Sequence, residues 1–348
     1  MKYKLLGNTG LRVSEVALGT MTFGTEAGWG ADKRTSQKMF DAFVDAGGNF
    51  VDTANEIYTG GTSEKFTGEF IKSNREYIVL GTKYTDAIPG NDPNKAGNSR
   101  KNMIQSLERS LKRLDTDYID IFWVHAWDFM SPVEEVMRAL DDMVRQGKVL
   151  YLGISDAPAW VISKANMYAR LNGLTPFEAS QIEYSLIQRT GERDLLPMAQ
   201  SEGMTTLGWS PLASGILTGK YSKKNMTKED TENRRLDTAA FVALNDRNLA
   251  IGDKVVEIAE RNNLAPAAVA IAYVKQKNIV PILGGTKVSH IESNLKSIAF
   301  ELSPEDQMEL DQISSIELGF PHDFLKSTQA VTYGGQFENI HHNHKYMP

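Results

Sequence analysis

The chain contains no cysteine at all. That excludes disulfide staples, thiolate nucleophiles and zinc–thiolate centres, and it is compatible with the reducing cytoplasm, which is the expected location. A basic block is also missing. Lys and Arg number 38 against 44 Asp and Glu, a formal charge of −6, so nucleic acid is not expected as the main ligand. One local lysine could still hold an anionic cofactor. No apolar run approaches the length of a membrane span, and the opening MKYKLLGNTG lacks the apolar stretch of a secretory signal, so no membrane association is expected. What is present is 348 residues, 41% of them hydrophobic, ample for one large core. One domain over residues 1–348 is expected, with 315–348 as a C-terminal loop and tail.

Short β-like runs alternate with amphipathic helical stretches. A hairpin turning at residues 8–10 leads into a strand at 16–20. Further strands are expected at 50–53, 77–83, 119–125, 151–155, 178–183, 205–209 and 279–284. Helices are expected between them at 36–46, 63–73, 132–146, 160–171, 194–201, 251–262, 266–277 and 290–297. The clearest helix carries Met103, Ile104, Leu107, Leu111 and Leu114 at helical spacing. A long polar loop is expected at 222–245 and one more helix at 303–314, begun by Ser303 and Pro304. Eight βα units of this kind point to an α/β fold, a closed (β/α)8 TIM barrel with an N-terminal β-hairpin and an extra C-terminal helix. An open doubly wound sheet is the runner-up, but the first strand ends in LGTMTFG rather than a GxGxxG phosphate loop.

Four ionisable residues end consecutive strands or follow them closely: Asp52, Tyr58, Lys83 and His125. In a barrel they would emerge at one edge, where such folds build their active sites. A carbonyl that accepts hydride develops negative charge on oxygen, which calls for a general acid and an orienting donor. Tyr58 suits the acid role, Lys83 would lower its pKa, Asp52 would hold Lys83, and neutral His125 would be the second donor. Any one of them alone is more often structural. Four of compatible chemistry at one edge favour a reductase of aldehydes or ketones.

With these residues the chain resembles an aldo-keto reductase. The carrying motifs are LGTMTFG (18–24), FVDTANEIYTGG (50–61), LGTKY (80–84), WVHAW (123–127), GISD (153–156), QIEYSLI (181–187), GWSPLASGILTGKY (208–221) and ILGGTK (282–287), with LGFPHDFL (318–325) similar to a bacterial branch. The resemblance implies an extended NADPH, or less often NADH, across the barrel mouth. It places Gly19, Thr20 and Met21 along the cofactor and Asp52 at the nicotinamide ribose. Ser155 and Gln181 would hold the carboxamide, and Trp209 would stack on the ring. Ser210, Pro211, Leu212, Gly215, Leu217 and Lys220 would wrap the pyrophosphate. Gly284, Thr286, Lys287, His290 and Asn294 would face the adenosine end, next to a helix N-terminus that favours an anion. Asp156 stands where many members carry Asn, and His290 where many carry Arg, which leaves Lys287 as the candidate for the 2′-phosphate.

Phe23, Trp29, Tyr84 and Trp127 are the candidates for an apolar substrate wall, with Phe320 and Phe324 in the C-terminal segment. A small-molecule carbonyl substrate is expected; its identity and the oligomeric state stay open. A cofactor-sensing role like that of potassium-channel β subunits, which are relatives in this family, is the alternative function. A metal-dependent barrel enzyme is disfavoured, because no Asp/Glu/His set stands out. Three further patterns are read as decoys: the YxxxK pair Tyr273 and Lys277, expected on a solvated helix face; GILTGKY, which lacks P-loop spacing; and the tail histidines 341, 342 and 344, read as a polar tail.

Overall fold

Strands β1 (Tyr3–Leu5) and β2 (Arg12–Ser14) pair antiparallel, with Lys4 opposite Val13. They form the expected hairpin. The computed structural model describes residues 1–221 and 243–341, so nearly all of the expected polar loop, and His342 and His344, lie outside the described residues. Eight parallel strands then close into a barrel: β3 (Ala17–Gly19), β4 (Phe50–Asp52), β5 (Val79–Tyr84), β6 (Ile119–Val124), β7 (Val149–Ser155), β8 (Phe177–Glu183), β9 (Thr205–Trp209) and β10 (Val280–Leu283). β10 completes the ring, Ile282 pairing with Ala17 on one side and Val280 with Leu207 on the other. Every expected barrel strand is present, its ends within two residues of expectation.

Side chains alternate across each strand. On β5, Leu80, Thr82 and Tyr84 face the helices while Val79, Gly81 and Lys83 face the barrel interior. The lower interior is filled by Ala17, Phe50, Val79, Ile121, Ala179, Leu207 and Val280. Leu6 and Val13 of the hairpin are fully buried against the same cluster, so the hairpin stoppers the N-terminal end of the barrel. Only the C-terminal end is left for chemistry.

Helices α1 (Lys33–Asp45), α2 (Thr62–Ile71), α3 (Arg100–Leu114), α4 (Val133–Arg145), α5 (Ala159–Leu171) and α6 (Leu195–Glu202) surround the first strands. Asp32 caps α1 by accepting the Thr35 amide at 2.7 Å, one of the four donors a helix start leaves open. In α3, Met103, Leu107, Leu111 and Leu114 are buried. Ile104 is not: it lies just off that stripe and is 44% exposed. Helices α7 (Asp246–Arg261), α8 (Pro266–Gln276) and α9 (Val288–Lys296) finish the ring, and α10 (Pro304–Ile313) packs outside it against α7.

Two expectations at the C-terminal end need correction. Tyr273 and Lys277 are not on a solvated face. Tyr273 is fully buried and donates its hydroxyl to Asp311 Oδ1 of α10 at 2.6 Å, and Lys277 Nζ reaches the same oxygen at 2.8 Å. Arg189 adds a third contact to that carboxylate at 3.3 Å. The expected tail also contains two short helices, α11 (His322–Ser327) and α12 (Gln329–Thr332), too short to show a reliable period in sequence.

Candidate active site

The interior face of each strand ends one layer above the apolar floor. Two residues beyond Phe50 stands Asp52; beyond Gly81, Lys83; beyond Trp123, His125. The same step carries Gly153 to Ser155, Ala179 to Gln181 and Leu207 to Trp209. Period two therefore places a ring of polar groups on an apolar plug. Trp123 is the floor tile. A Cβ added to Gly81 would meet its Nε1 at 2.7 Å, and one added to Gly153 would meet its ring at 2.3 Å. The two glycines on the flanking strands make room for the indole.

Lys83 has no exposed side-chain surface. It is paired with Asp52 and donates to the Thr53 carbonyl at 2.8 Å. Asp52 also accepts Gln181 Nε2 at 3.1 Å. Burial opposes the lysine's charge, but the Asp52 carboxylate and the Tyr58 phenol outweigh it and hold the ammonium above its ordinary value. Lys83 Nζ lies 5.3 Å from the centre of the Tyr58 ring, and that ring meets His125 edge-on at 6.0 Å between centroids. The four residues singled out in sequence thus converge at the mouth. Burial raises the Tyr58 phenol above its usual 10 and outweighs Lys83, which acts on it in the expected direction. Tyr58 therefore stays protonated, the form an acid needs. Burial, followed by the nearby Lys83 charge, pushes His125 down to about 3, so its imidazole is neutral at physiological pH.

Ser155 Oγ donates to Asp156 Oδ2 at 2.7 Å, and Trp209 Nε1 donates to Asp156 Oδ1 at 3.2 Å. Asp156 thereby links β7 to β9 across the mouth. Burial raises its carboxyl above the ordinary range, a rise that these two donors limit. Beside it opens a cavity of about 470 Å3 whose wall mixes Trp209, Ile182 and Leu195 with Asp156, Glu183 and Gln188. After β9 the backbone is strongly turned: Ser210, Ala213, Ser214 and Gly215 all have positive φ. Turns of this kind aim successive N–H groups into an anion-binding concavity. Gly215 and Gly284 have no neighbour closer than 3.8 and 3.7 Å to an added Cβ, which leaves their backbone approachable. The first turn of α9 has no side-chain cap, and Lys287, Ser289 and His290 are exposed there. These features fit a dinucleotide with a phosphate at that helix start.

The residues expected to contact cofactor or substrate differ in exposure. Phe23, Tyr84 and Trp127 are buried, with 1%, 0% and 9% exposure. Tyr84 follows Lys83 by one residue, so it points to the opposite face and stacks on Phe122 at 5.2 Å. Of the four wall candidates only Trp29 is partly exposed. The Thr20 side chain is turned inward to Ser63 at 2.8 Å, and Leu217 is fully buried. Asn294 is buried on the inner side of α9, although its neighbours on the first turn face solvent. Met21 and Leu212 are partly exposed, Pro211 is buried, and Lys220 is exposed and lies over the Tyr221 ring at 5.4 Å. Phe320 and Phe324 contact each other at 6.2 Å and are 85% and 56% exposed.

The Aldo/keto reductase family profile matches residues 15–315. The chain belongs to the aldo/keto reductase family. It is 41% identical over 347 residues to the norsolorinic acid reductase of Aspergillus flavus, covering 94% of this chain and 85% of that protein. Against the NADP(+) aryl-alcohol dehydrogenase of Phanerodontia chrysosporium the identity is 40% over 337 residues, covering 92% and 87%. Against a probable aryl-alcohol dehydrogenase of Saccharomyces cerevisiae it is 39% over 313 residues, covering 86% and 94%. This aldo/keto reductase is an NAD(P)-dependent oxidoreductase that acts on small-molecule carbonyl compounds. Among its described residues no helix is long and apolar enough to cross a membrane.

Sequence reasoning missed two residues of the reductase site. Asn55 is buried, donates its amide to the Asp86 carbonyl at 2.8 Å and accepts the Tyr58 amide on its own carbonyl at 3.1 Å. Asp86 places Oδ2 3.3 Å from His125 Nδ1. The only signal for Asn55 was its place between Asp52 and Tyr58. For Asp86 there was none, because loop geometry alone brings it back over the mouth.

Proposed function

We propose that the protein reduces aldehydes or ketones on aryl frameworks with NADPH, Tyr58 being the general acid. The observation that carries this reading is the buried Lys83–Asp52 pair directly beneath a protonated Tyr58, with neutral His125 at its edge. The aryl preference is supported by the relatives' names and by the Trp209, Ile182 and Leu195 side of the cavity beside Asp156. We propose also that the whole chain serves as one such domain.

Reduced nicotinamide, when bound, supplies the hydride that adds to the carbonyl carbon. The chain's own residues handle the oxygen. Tyr58 transfers its phenolic proton to the developing alkoxide, and Lys83 stabilises the tyrosinate left behind. His125 donates to the same oxygen and holds it in place. Asp52 keeps Lys83 charged and fixed. Trp209, Ser155 and Asp156 would hold the nicotinamide end, the 210–220 turn would hold the pyrophosphate, and Gly19, Met21, Gly284, Thr286, Lys287 and His290 would hold the rest of the cofactor. Burial and then Lys287 lower His290, so it is neutral at pH 7 and Lys287 is the cation for the 2′-phosphate. Trp29 is the wall candidate the substrate can reach.

The deciding experiment follows loss of reduced-cofactor absorbance with NADPH and NADH over a panel of aryl and aliphatic carbonyl compounds. Tyr58→Phe should lower kcat by at least about 10²-fold while NADPH still quenches tryptophan fluorescence. Wild-type turnover in that variant would remove Tyr58 from the role.

A further inference from the structure

The contact between Asp86 and His125 has no part in the scheme above, and the chain goes to some trouble to make it. β5 ends at Tyr84, and the next residue, Thr85, has φ of 109°. That is the left-handed side of the map, where a β-branched residue is a genuine outlier and costs on the order of 1–3 kcal/mol. The bend is braced on all sides. Thr85 accepts Asn98 Nδ2 on its hydroxyl at 2.8 Å and the Gly97 amide on its carbonyl at 2.9 Å. Asn55, from the Tyr58 loop, holds the Asp86 carbonyl. The result is a carboxylate 3.3 Å from His125 Nδ1, off the axis of a hydrogen bond, while Nδ1 itself is buried with no bonded partner. Catalytic hydrogen bonds are often loose in unliganded sites and tighten with substrate.

A neutral imidazole has one N–H, and the partner of one nitrogen decides which nitrogen carries it. We propose that Asp86 is a positioning residue that, by sharing a proton with His125 Nδ1, decides whether Nε2 presents a donor or a lone pair to the substrate oxygen. With two protons on the pair, one lies between Asp86 Oδ2 and Nδ1 and the other is on Nε2, aimed at the carbonyl. When one proton leaves to solvent, the remaining proton settles on Nδ1 against the Asp86 carboxylate. Nε2 is then bare and can only accept. The first state serves reduction and the second serves alcohol oxidation. This rests on the reading of His125 as the orienting donor.

The surrounding charges are compatible with it. His125 is faced by Lys83 from β5 and by the Tyr58 ring from the loop after β4. Asp86 is in electrostatic reach of Asp156 from the loop after β7. Asp128, later on His125's own loop, is engaged with the amides of Asn98, Met130 and Ser131 instead. Burial raises the Asp86 carboxyl, which favours its keeping the shared proton. The Tyr58 phenol lies above 10, so an alkaline loss of reductase activity well below that pH belongs to another group.

The test uses Asp86→Asn, whose amide can donate to Nδ1 at every pH. In 15N-histidine-labelled protein, assigned with His125→Gln, wild type should carry its proton on Nδ1 at pH 8 and the variant on Nε2. Wild-type kcat/KM for reduction should fall about tenfold per pH unit above the pair's pKa, and Asp86→Asn should lose that limb. A wild-type proton on Nε2 at pH 8, or pH profiles that overlay, would overturn the proposal. The wild-type spectrum decides alone if the variant does not fold. Full activity in His125→Gln would instead remove His125 from the reaction, and the spectrum would still report the pair.

Discussion

Lys83 and Asp52 depend on each other in a place where neither is wetted. An ion in such a site is tolerated only with its partner present, and removing one partner typically costs about 3–5 kcal/mol. Lys83→Met and Asp52→Asn should therefore each lower stability by about that amount in urea unfolding, besides losing turnover, whereas Tyr58→Phe should lose turnover alone. Lys287 sits in the opposite setting, exposed at the start of α9. Lys287→Ala should leave stability unchanged and weaken NADPH relative to NADH by about 10- to 100-fold in KM, the worth of a hydrogen bond between charged groups. At this scale the sequence was most informative where period two governs. Asp52, Lys83 and His125 come together because each stands two residues beyond an inward-facing one. The same rule explains why Tyr84 could not join them. Asp86 was illegible because its place depends on a strained bend at Thr85 that no residue pattern announces.

A strand or helix in this molecule is shaped by what its neighbour needs. Gly81 and Gly153 lie on the two strands beside Trp123, and both are small so that the indole can lie flat beneath the site. Gly153→Ala would drive a methyl carbon into that ring. Overpacking of this kind costs about 1–3 kcal/mol, and the displaced floor should also lower kcat; thermal unfolding and steady-state rates would show both. The helices were readable from their apolar stripes, as in α3, which Asp115 ends in a left-handed turn. The stripe was read one residue too wide at Ile104, because adjacent helical positions differ by about 100° and only one of them faced the barrel. The short helices after residue 320 offered less than two turns of pattern.

Across the whole molecule, helix α10 is held by several carboxylates, Asp306 and Glu309 pairing with Arg261 and Lys254 of α7 and Asp311 reaching the far side. Asp311 receives Tyr273 and Lys277 from α8 and Arg189 from the loop after β8. Burial raises its pKa, but these partners outweigh burial and hold it below the ordinary carboxylate value. The stabilisation is thus fully present above the unfolded-state pKa near 4 and is lost as pH falls through the lower native value. Asp311→Asn should narrow the stability difference between pH 6 and pH 3 in urea titrations, and hydrogen exchange in residues 304–313 should speed up. The barrel itself was legible from the count of its βα units. This clamp was not, because its members are scattered through the chain. The pairing of Ile282 with Ala17 carries a consequence for how the molecule is made. It joins strands from nearly opposite ends of the chain, so the ring cannot shut until almost all of it has been synthesised. Loop-closure entropy and high contact order make that last pairing slow. Until then β3 and β9 each present an unpaired edge, the usual template for mispairing between nascent chains. Low temperature and slow expression should therefore raise the soluble yield, and a chain stopped before Val280 should aggregate.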